Sequence, residues 1–312
     1  MTLLLRDPFR AMGTSCAVAA AAGPGQTHRA RRALAAARAE VEACERALSR
    51  FDPASDLCRL NRAGGSWTWV DERLAAALAL AVRAREDTDG RFDPTILPAL
   101  VAAGYDRSFD ELEPRAPRVA ADWRAGGEIE VDLAAGRARI ERGTAVDLGG
   151  IGKGFSAGRA LDAMRAAWPE LPGGLVDLGG DLAFAGRPPE GGPWRVGVED
   201  PRSGGSLGEL QLLGGGVATS GRDRRRFGPS RSLHHLIDPG TGAPAAAGPL
   251  AVTVVARDAA AAEAHATALG ITPVEEAQAY VEARPLLAAL VVPHEGEPFA
   301  AGDLPLRVAV AA

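Results

Sequence analysis

The chain has 312 residues, 46% hydrophobic and 24% charged, and a formal net charge of −5. That length suffices to bury a sizeable core, and the acidic balance argues against nucleic-acid binding, which needs a basic field. No apolar run reaches the ~20 residues that span a bilayer, Met1–Asp7 is too short for a secretory leader, and Cys16, Cys44 and Cys58 show no metal spacing and form no even disulfide framework, so the chain reads as cytoplasmic.

In chain order, Leu34, Ala37, Val41, Cys44 and Leu48 recur at helical spacing and predict a helix from Arg29 to Leu48. Leu74, Leu78 and Val82 predict another from Asp71 to Asp87, with Gly90 as its stop. Strands are expected at Gly127–Leu133 and Arg137–Ile140, then a helix at Phe155–Ala167. Further strands follow at Gly174–Leu178, Trp194–Val198, Glu209–Leu213 and Leu250–Ala256, before helices at Ala259–Leu269 and Val274–Glu282 and a last strand. This order is not the alternation of a doubly wound sheet; it reads as α+β, with no linker that divides the chain.

The densest chemical signal is Ala145-Val-Asp-Leu-Gly-Gly-Ile-Gly-Lys-Gly-Phe155, read as a strand, a glycine-rich turn and a helix start. Glycines let a ligand approach the amides, and a helix N-terminus with Lys153 beside it favours an anion such as phosphate. The plainer alternative is a tight connection with a surface lysine. A P-loop does not fit, because Asp147 replaces its first glycine and Gly154 its Ser or Thr. Gly152, Gly154 and Ala157 with Asp177 do have Rossmann spacing, which keeps a nicotinamide-dependent oxidoreductase open.

A second cluster is Ala218-Thr-Ser-Gly221 with Leu233-His-His-Leu-Ile-Asp-Pro-Gly-Thr-Gly242. Its hydroxyls and histidines suit phosphate contact or proton transfer, although Asp238 in Asp-Pro-Gly also suits a plain turn. His234 and His235 would point opposite ways on a strand. The short basic run Arg222–Arg226 reads as a solvated loop. A third cluster is Glu263 and Thr267, four apart on one helical face, where two oxygens suit a hard cation. The alternative is a solvent-facing Glu and a Thr bonded to its own helix. His265 lies about 200° around the helix from Glu263. A serine-hydrolase elbow and a zinc-type histidine pair are both missing from the sequence.

Taken in order, these segments resemble the ApbE family of FAD:protein FMN transferases. The resemblance runs through Met12-Gly-Thr14, Leu48-Ser-Arg-Phe-Asp-Pro-Ala-Ser55 on to Asn61, Gly90-Arg-Phe-Asp-Pro-Thr95 and Gly104-Tyr105. It continues in Asp147–Gly154, Gly179-Gly-Asp181, Trp194–Pro201, Ala218–Gly221, His235–Gly242, Val252–Val255 and Glu263–Leu269. It implies a single α+β domain over 1–312, two-lobed and T-fold-like, with FAD in the cleft between lobes. Met12, Phe51, Arg91, Phe92, Asp93, Asp147, Lys153 and Ile237 would line the FAD site. Magnesium would be held by the Gly150 carbonyl, Glu263 and Thr267, and His235 would be catalytic. The implied reaction moves FMN from FAD to a threonine in a short motif of an acceptor flavoprotein and releases AMP; FAD binding without turnover is the alternative. The family's metal-binding Asp is Glu263 here, its frequent alanines are Gly150 and Gly152, and its aromatic after Thr-Ser-Gly is Arg222. Many members are exported lipoproteins.

Overall fold

The computed structural model describes residues 2–112, 116–118, 123–223, 226–284 and 287–307. No element is predicted over the first 22 residues, yet they form a hairpin of β1 (Leu3–Ala11) and β2 (Thr14–Ala22). Its turn, Met12–Gly13, has φ values of 52° and 68°, the left-handed pair that matches strand twist. Glycine adopts this freely, whereas for Met12 it costs about 1–2 kcal/mol. The Met12 amide is held by Glu45 Oε1 at 2.6 Å.

Glu45 belongs to α1 (Thr27–Leu48), which buries the predicted stripe Leu34, Ala37, Val41, Cys44 and Leu48. After it come α2 (Asp56–Arg62), capped by Ser55, α3 (Glu72–Asp87), capped by Asp71, and α4 (Leu97–Ala103). The chain continues through α5 (Gly152–Ala167), β3 (Gly173–Leu178), β4 (Asp181–Gly186), β5 (Gly215–Gly221) and β6 (Ala251–Ala256). Then follow α6 (Ala259–Leu269), α7 (Ala277–Glu282), β7 (Ala288–Val292) and β8 (Phe299–Ala301).

These eight strands form one sheet whose order follows the chain, β1 to β8, and every neighbouring pair is antiparallel. The predicted α+β class is therefore the observed one. The Rossmann alternative fails on topology, because it needs parallel strands joined by crossover helices.

Alanines Ala30, Ala33 and Ala37 of α1 share a buried cluster with Ala157 and Ala160 of α5, and small side chains let these helices lie close over the sheet. The opposite face packs on a small sheet of Trp194–Glu199, Ser206–Leu212 and Leu306–Arg307. There Trp194, Val198, Leu210 and Leu212 meet Phe184, Val217 and Leu290, each large buried side chain contributing about 1.5–3 kcal/mol. A third layer joins α2, α3 and α6 to a sheet of Thr68–Trp69, Ile129–Asp132 and Arg137–Ile140.

Two expected elements differ. The helix predicted over Val274–Glu282 is a 3-10 turn at Val274–Glu276 followed by α7. The strand expected before the glycine turn is extended chain outside any sheet; Asn61 instead pairs with Val146, donating from Nδ2 to its carbonyl (2.9 Å) and accepting from its amide (2.8 Å). A side-chain amide thus replaces a neighbouring strand. No helix among the described residues is long and apolar enough to cross a membrane.

Candidate active site

The turn that starts α5 is organised by Asp147. Its Oδ1 accepts from the Gly149 amide at 2.7 Å, and its Oδ2 receives Arg50 Nε at 2.7 Å. Helix α5 has no side-chain N-cap; the Gly152 amide donates to the Leu148 carbonyl at 2.7 Å, and the amides just after it look to acceptors outside the helix. One acceptor comes from α6: the Gly154 amide donates to Glu263 Oε2 at 2.8 Å. Gly154 permits this because a Cβ there would lie 2.2 Å from the Ala259 carbonyl oxygen. The helices approach so closely that only glycine fits.

Glu263 is 4% exposed, which excludes the solvent-facing reading. Its Oε1 accepts from Lys153 Nζ at 2.5 Å, and Lys153 also pairs with Asp181 at the start of β4. Burial disfavours the Lys153 charge, but the carboxylates of Asp181 and Glu263 outweigh it and hold the ammonium above its ordinary value. Burial raises Glu263 to about 7, with Asp181 adding to the rise and Lys153 opposing it. Thr267, one turn along α6, donates from Oγ1 to the Gly150 carbonyl at 3.4 Å.

Beside this polar centre is an aromatic wall. The Arg50 guanidinium stands 4.1 Å from the Phe51 ring centroid and 4.4 Å from that of Tyr105, and it donates to the Tyr105 carbonyl at 3.1 Å. Ile237 packs with Leu100, Tyr105 and Phe227 in the buried cluster beneath.

Two clefts meet here. The first, about 450 Å³, is lined by every residue that the resemblance assigns to FAD: Met12, Phe51, Arg91, Phe92, Asp93, Asp147, Lys153 and Ile237. The second, about 570 Å³, is lined by Asp177, Asp181, Thr219, Ser220 and Glu263 among others. Gly149, Lys153, His235 and Thr267 border both clefts, while Gly150 borders the first. Asp93 uses its carboxylate to tie its own loop to a distant segment, accepting from Thr95 (2.8 Å to the amide) and from the Gly126 amide (2.6 Å).

The two histidines separate as their spacing predicts. His234 is buried, with Nε2 3.1 Å from the Ala245 carbonyl oxygen, so that nitrogen carries the proton. His265 faces Tyr280, its Nδ1 2.8 Å from the hydroxyl, away from the clefts. The basic run departs from expectation: Arg222 is 7% exposed, and its guanidinium donates to the Ala246 and Gly270 carbonyls at 3.3 and 3.1 Å. The solvated-loop reading fails at Arg222, which follows the end of β5 and turns inward, whereas Arg226 is exposed, in a short strand; Arg224 and Arg225 lie outside the described residues.

Site residues without an assigned role in the sequence are Arg50, Tyr105 and Asp181, although each sits inside a quoted motif. Asp177, counted with Gly152, Gly154 and Ala157 in the Rossmann spacing, accepts from the Gly180 amide at 2.8 Å and borders the second cleft.

Among the described residues no group of three or more His, Cys, Asp or Glu side chains gathers as a metal site. The donor set is nonetheless suited to a hard cation. It consists of oxygens only, and Asp181 and Glu263 share a single ammonium, so a bound cation would offset the charge that burial disfavours on Glu263. Glu263 would exchange its bond from Lys153 for the ion.

The ApbE family model matches residues 12–291. The chain belongs to the ApbE family. It is 30% identical over 272 residues to the FAD:protein FMN transferase of Klebsiella pneumoniae (strain 342), covering 84% of this chain and 77% of that relative. The Salmonella typhimurium FAD:protein FMN transferase is likewise 30% identical, over 270 residues, 83% of this chain and 76% of its own. Among solved structures, the ApbE protein of Thermotoga maritima aligns with a TM-score of 0.81 at 28% identity, covering 96% of this chain and 97% of that one. The Pseudomonas stutzeri flavinyl transferase ApbE, apo form, gives 0.78 at 25%, covering 96% and 95%. The ApbE fold thus accounts for nearly the whole chain, including the hairpin and the strands that local pattern missed.

Proposed function

We propose that this ApbE-family chain is an FAD:protein FMN transferase that works as a single domain over its length. The observation that carries this is the convergence of all the residues assigned to FAD on one cleft, with Lys153, His235 and Thr267 where it meets a second. Phe51, Tyr105 and Ile237 offer apolar and aromatic surface for a ring system, and the glycine turn with Lys153 suits the pyrophosphate.

Gly150, Glu263 and Thr267 would hold magnesium, with Asp181 adjacent. Bound there, the ion would neutralise charge that builds on the pyrophosphate as its bond to AMP breaks. The chain's own groups do the rest. Lys153 holds negative charge at the turn, and His235 takes the proton of the attacking threonine hydroxyl. The acceptor is a flavoprotein whose threonine lies in a short motif; AMP is the leaving product.

The experiment is to incubate purified protein with FAD, with and without magnesium, and follow FMN and AMP by chromatography. Magnesium-dependent AMP release, with FMN attached to an acceptor's threonine, is the expected result. A second reading, FAD binding without turnover, is favoured by one observation: both Glu263 oxygens are already engaged, by Lys153 and the Gly154 amide. FAD that binds and stays whole with magnesium and acceptor present would support it.

A further inference from the structure

We propose that the second cleft is the acceptor's docking groove, and that the acceptor enters it as an extended segment adding a strand to the edge Trp194–Glu199. This rests on the transferase reading above. In the small sheet Trp194–Glu199 pairs with Ser206–Leu212 on one side, and no strand among the described residues pairs with its other side. Such an edge carries main-chain donors and acceptors that recognise another peptide backbone.

The edge runs along the cleft, since consecutive residues Arg195 to Glu199 all line it. Buried Trp194 and Val198 anchor the strand. At its middle, Gly197 is exposed, and a Cβ there would meet nothing within 4 Å. The exposed face of the strand is therefore open at this point, since a strand Cβ projects off the face of the sheet.

The reaction demands such a path. The attacking oxygen must approach the FMN phosphorus opposite the oxygen that leaves with AMP, so it cannot come through the space that the nucleotide fills. The second cleft carries only Lys153 of the residues assigned to FAD, yet it shares Lys153, His235, Gly149 and Thr267 with the first. A threonine carried along the edge strand reaches these shared residues with its hydroxyl free. The new bond joins the threonine oxygen to the FMN phosphorus, the phosphorus–oxygen bond to AMP breaks with its electron pair on AMP, and His235 takes the hydroxyl proton.

The probe is a recombinant redox subunit of the kind that takes threonine-linked FMN, made in cells without a flavin transferase so that its threonine hydroxyl is free, beside a copy with that threonine changed to valine. The variant is Gly197→Leu, which places a side chain into open space. Circular dichroism and flavin fluorescence report its fold and FAD affinity, and initial rates give KM and kcat for the acceptor. FAD affinity should hold within about twofold while the acceptor's KM rises about tenfold or more, with kcat little changed. Hydrogen exchange on the unaltered enzyme supplies an independent measurement: the valine acceptor should slow the amides of residues 195–199, and FAD alone should not. An unchanged KM, or amides indifferent to the acceptor, would overturn the proposal. So would lost FAD affinity in a folded variant or protection by FAD alone, since the cleft would then hold part of the nucleotide. Unaltered enzyme that transfers no FMN to the probe would overturn the transferase reading first, and the docking inference with it.

Discussion

Arg50 Nε lies 2.7 Å from Asp147 Oδ2, with the two side chains 8% and 7% exposed. The pair fastens the aromatic wall of the first cleft to its glycine turn, since Arg50 stacks between Phe51 and Tyr105 while Asp147 holds Gly149. Removing one partner strands a buried charge, which costs about 3–5 kcal/mol. Arg50→Ala should lower the melting temperature and weaken FAD binding. Combined with Asp147→Asn it should cost clearly less than the two single changes together. Additive losses in a double-mutant cycle, read by denaturant unfolding, would show that the pair is not coupled.

His234 and His235 should respond differently to alanine. His235→Ala should keep fold and FAD affinity and lose transfer. His234→Ala removes a buried hydrogen bond to the Ala245 carbonyl and should cost about 1–3 kcal/mol of stability, with transfer at 25 °C preserved. Thermal melts and single-turnover transfer separate the two, and loss of transfer in a folded His234→Ala would sink the assignment.

A pH effect follows from His234. Burial first, then Arg222, lowers its pKa to about 4, below its ordinary 6.5. The unfolded chain therefore binds the proton more readily, and stability from this group is present above pH 6.5 and lost as pH falls towards 4. Wild type should lose more stability over that window than His234→Gln, measured by urea unfolding at pH 7.0 and 4.5. Parallel losses would show that His234 does not titrate with unfolding.

Glu263→Gln removes one of the two carboxylates beside Lys153. The magnesium concentration for half-maximal AMP release should rise about tenfold or more, as one charged oxygen ligand is lost. Stability should change little, because burial already opposes the Glu263 charge. An unaltered magnesium response would remove α6 from the metal site.

Gly154→Ala tests the approach of the two helices. Its Cβ would lie 2.2 Å from the Ala259 carbonyl oxygen, and the required shift should cost about 1–3 kcal/mol or more. It should also weaken transfer by displacing Glu263. A melting temperature equal to wild type would contradict that packing.

Local pattern in the sequence determined a good deal. The stripes of α1 and α3 followed from 3.6-residue spacing, and α5, α6 and the strands at Gly173–Leu178, Trp194–Glu199 and Ala251–Ala256 fell where apolar runs met turn residues. The ordered motifs also named the residues that line the first cleft. The Ala-rich β2, read alone, looks as helical as α1; it is a strand because β1 and β3 pair with it, and pairing partners lie outside any local window. Only the tertiary structure decided the ionic centre. Lys153 and Glu263 stand 110 positions apart and Lys153 and Asp181 28 apart, and they meet because Gly154 lets α5 touch α6. Arg50 took its place in the same way, through Asp147, nearly a hundred residues on. Periodicity reports which face of an element is buried, whereas the partner of a buried charge is set by packing between elements, which no stretch of sequence contains by itself.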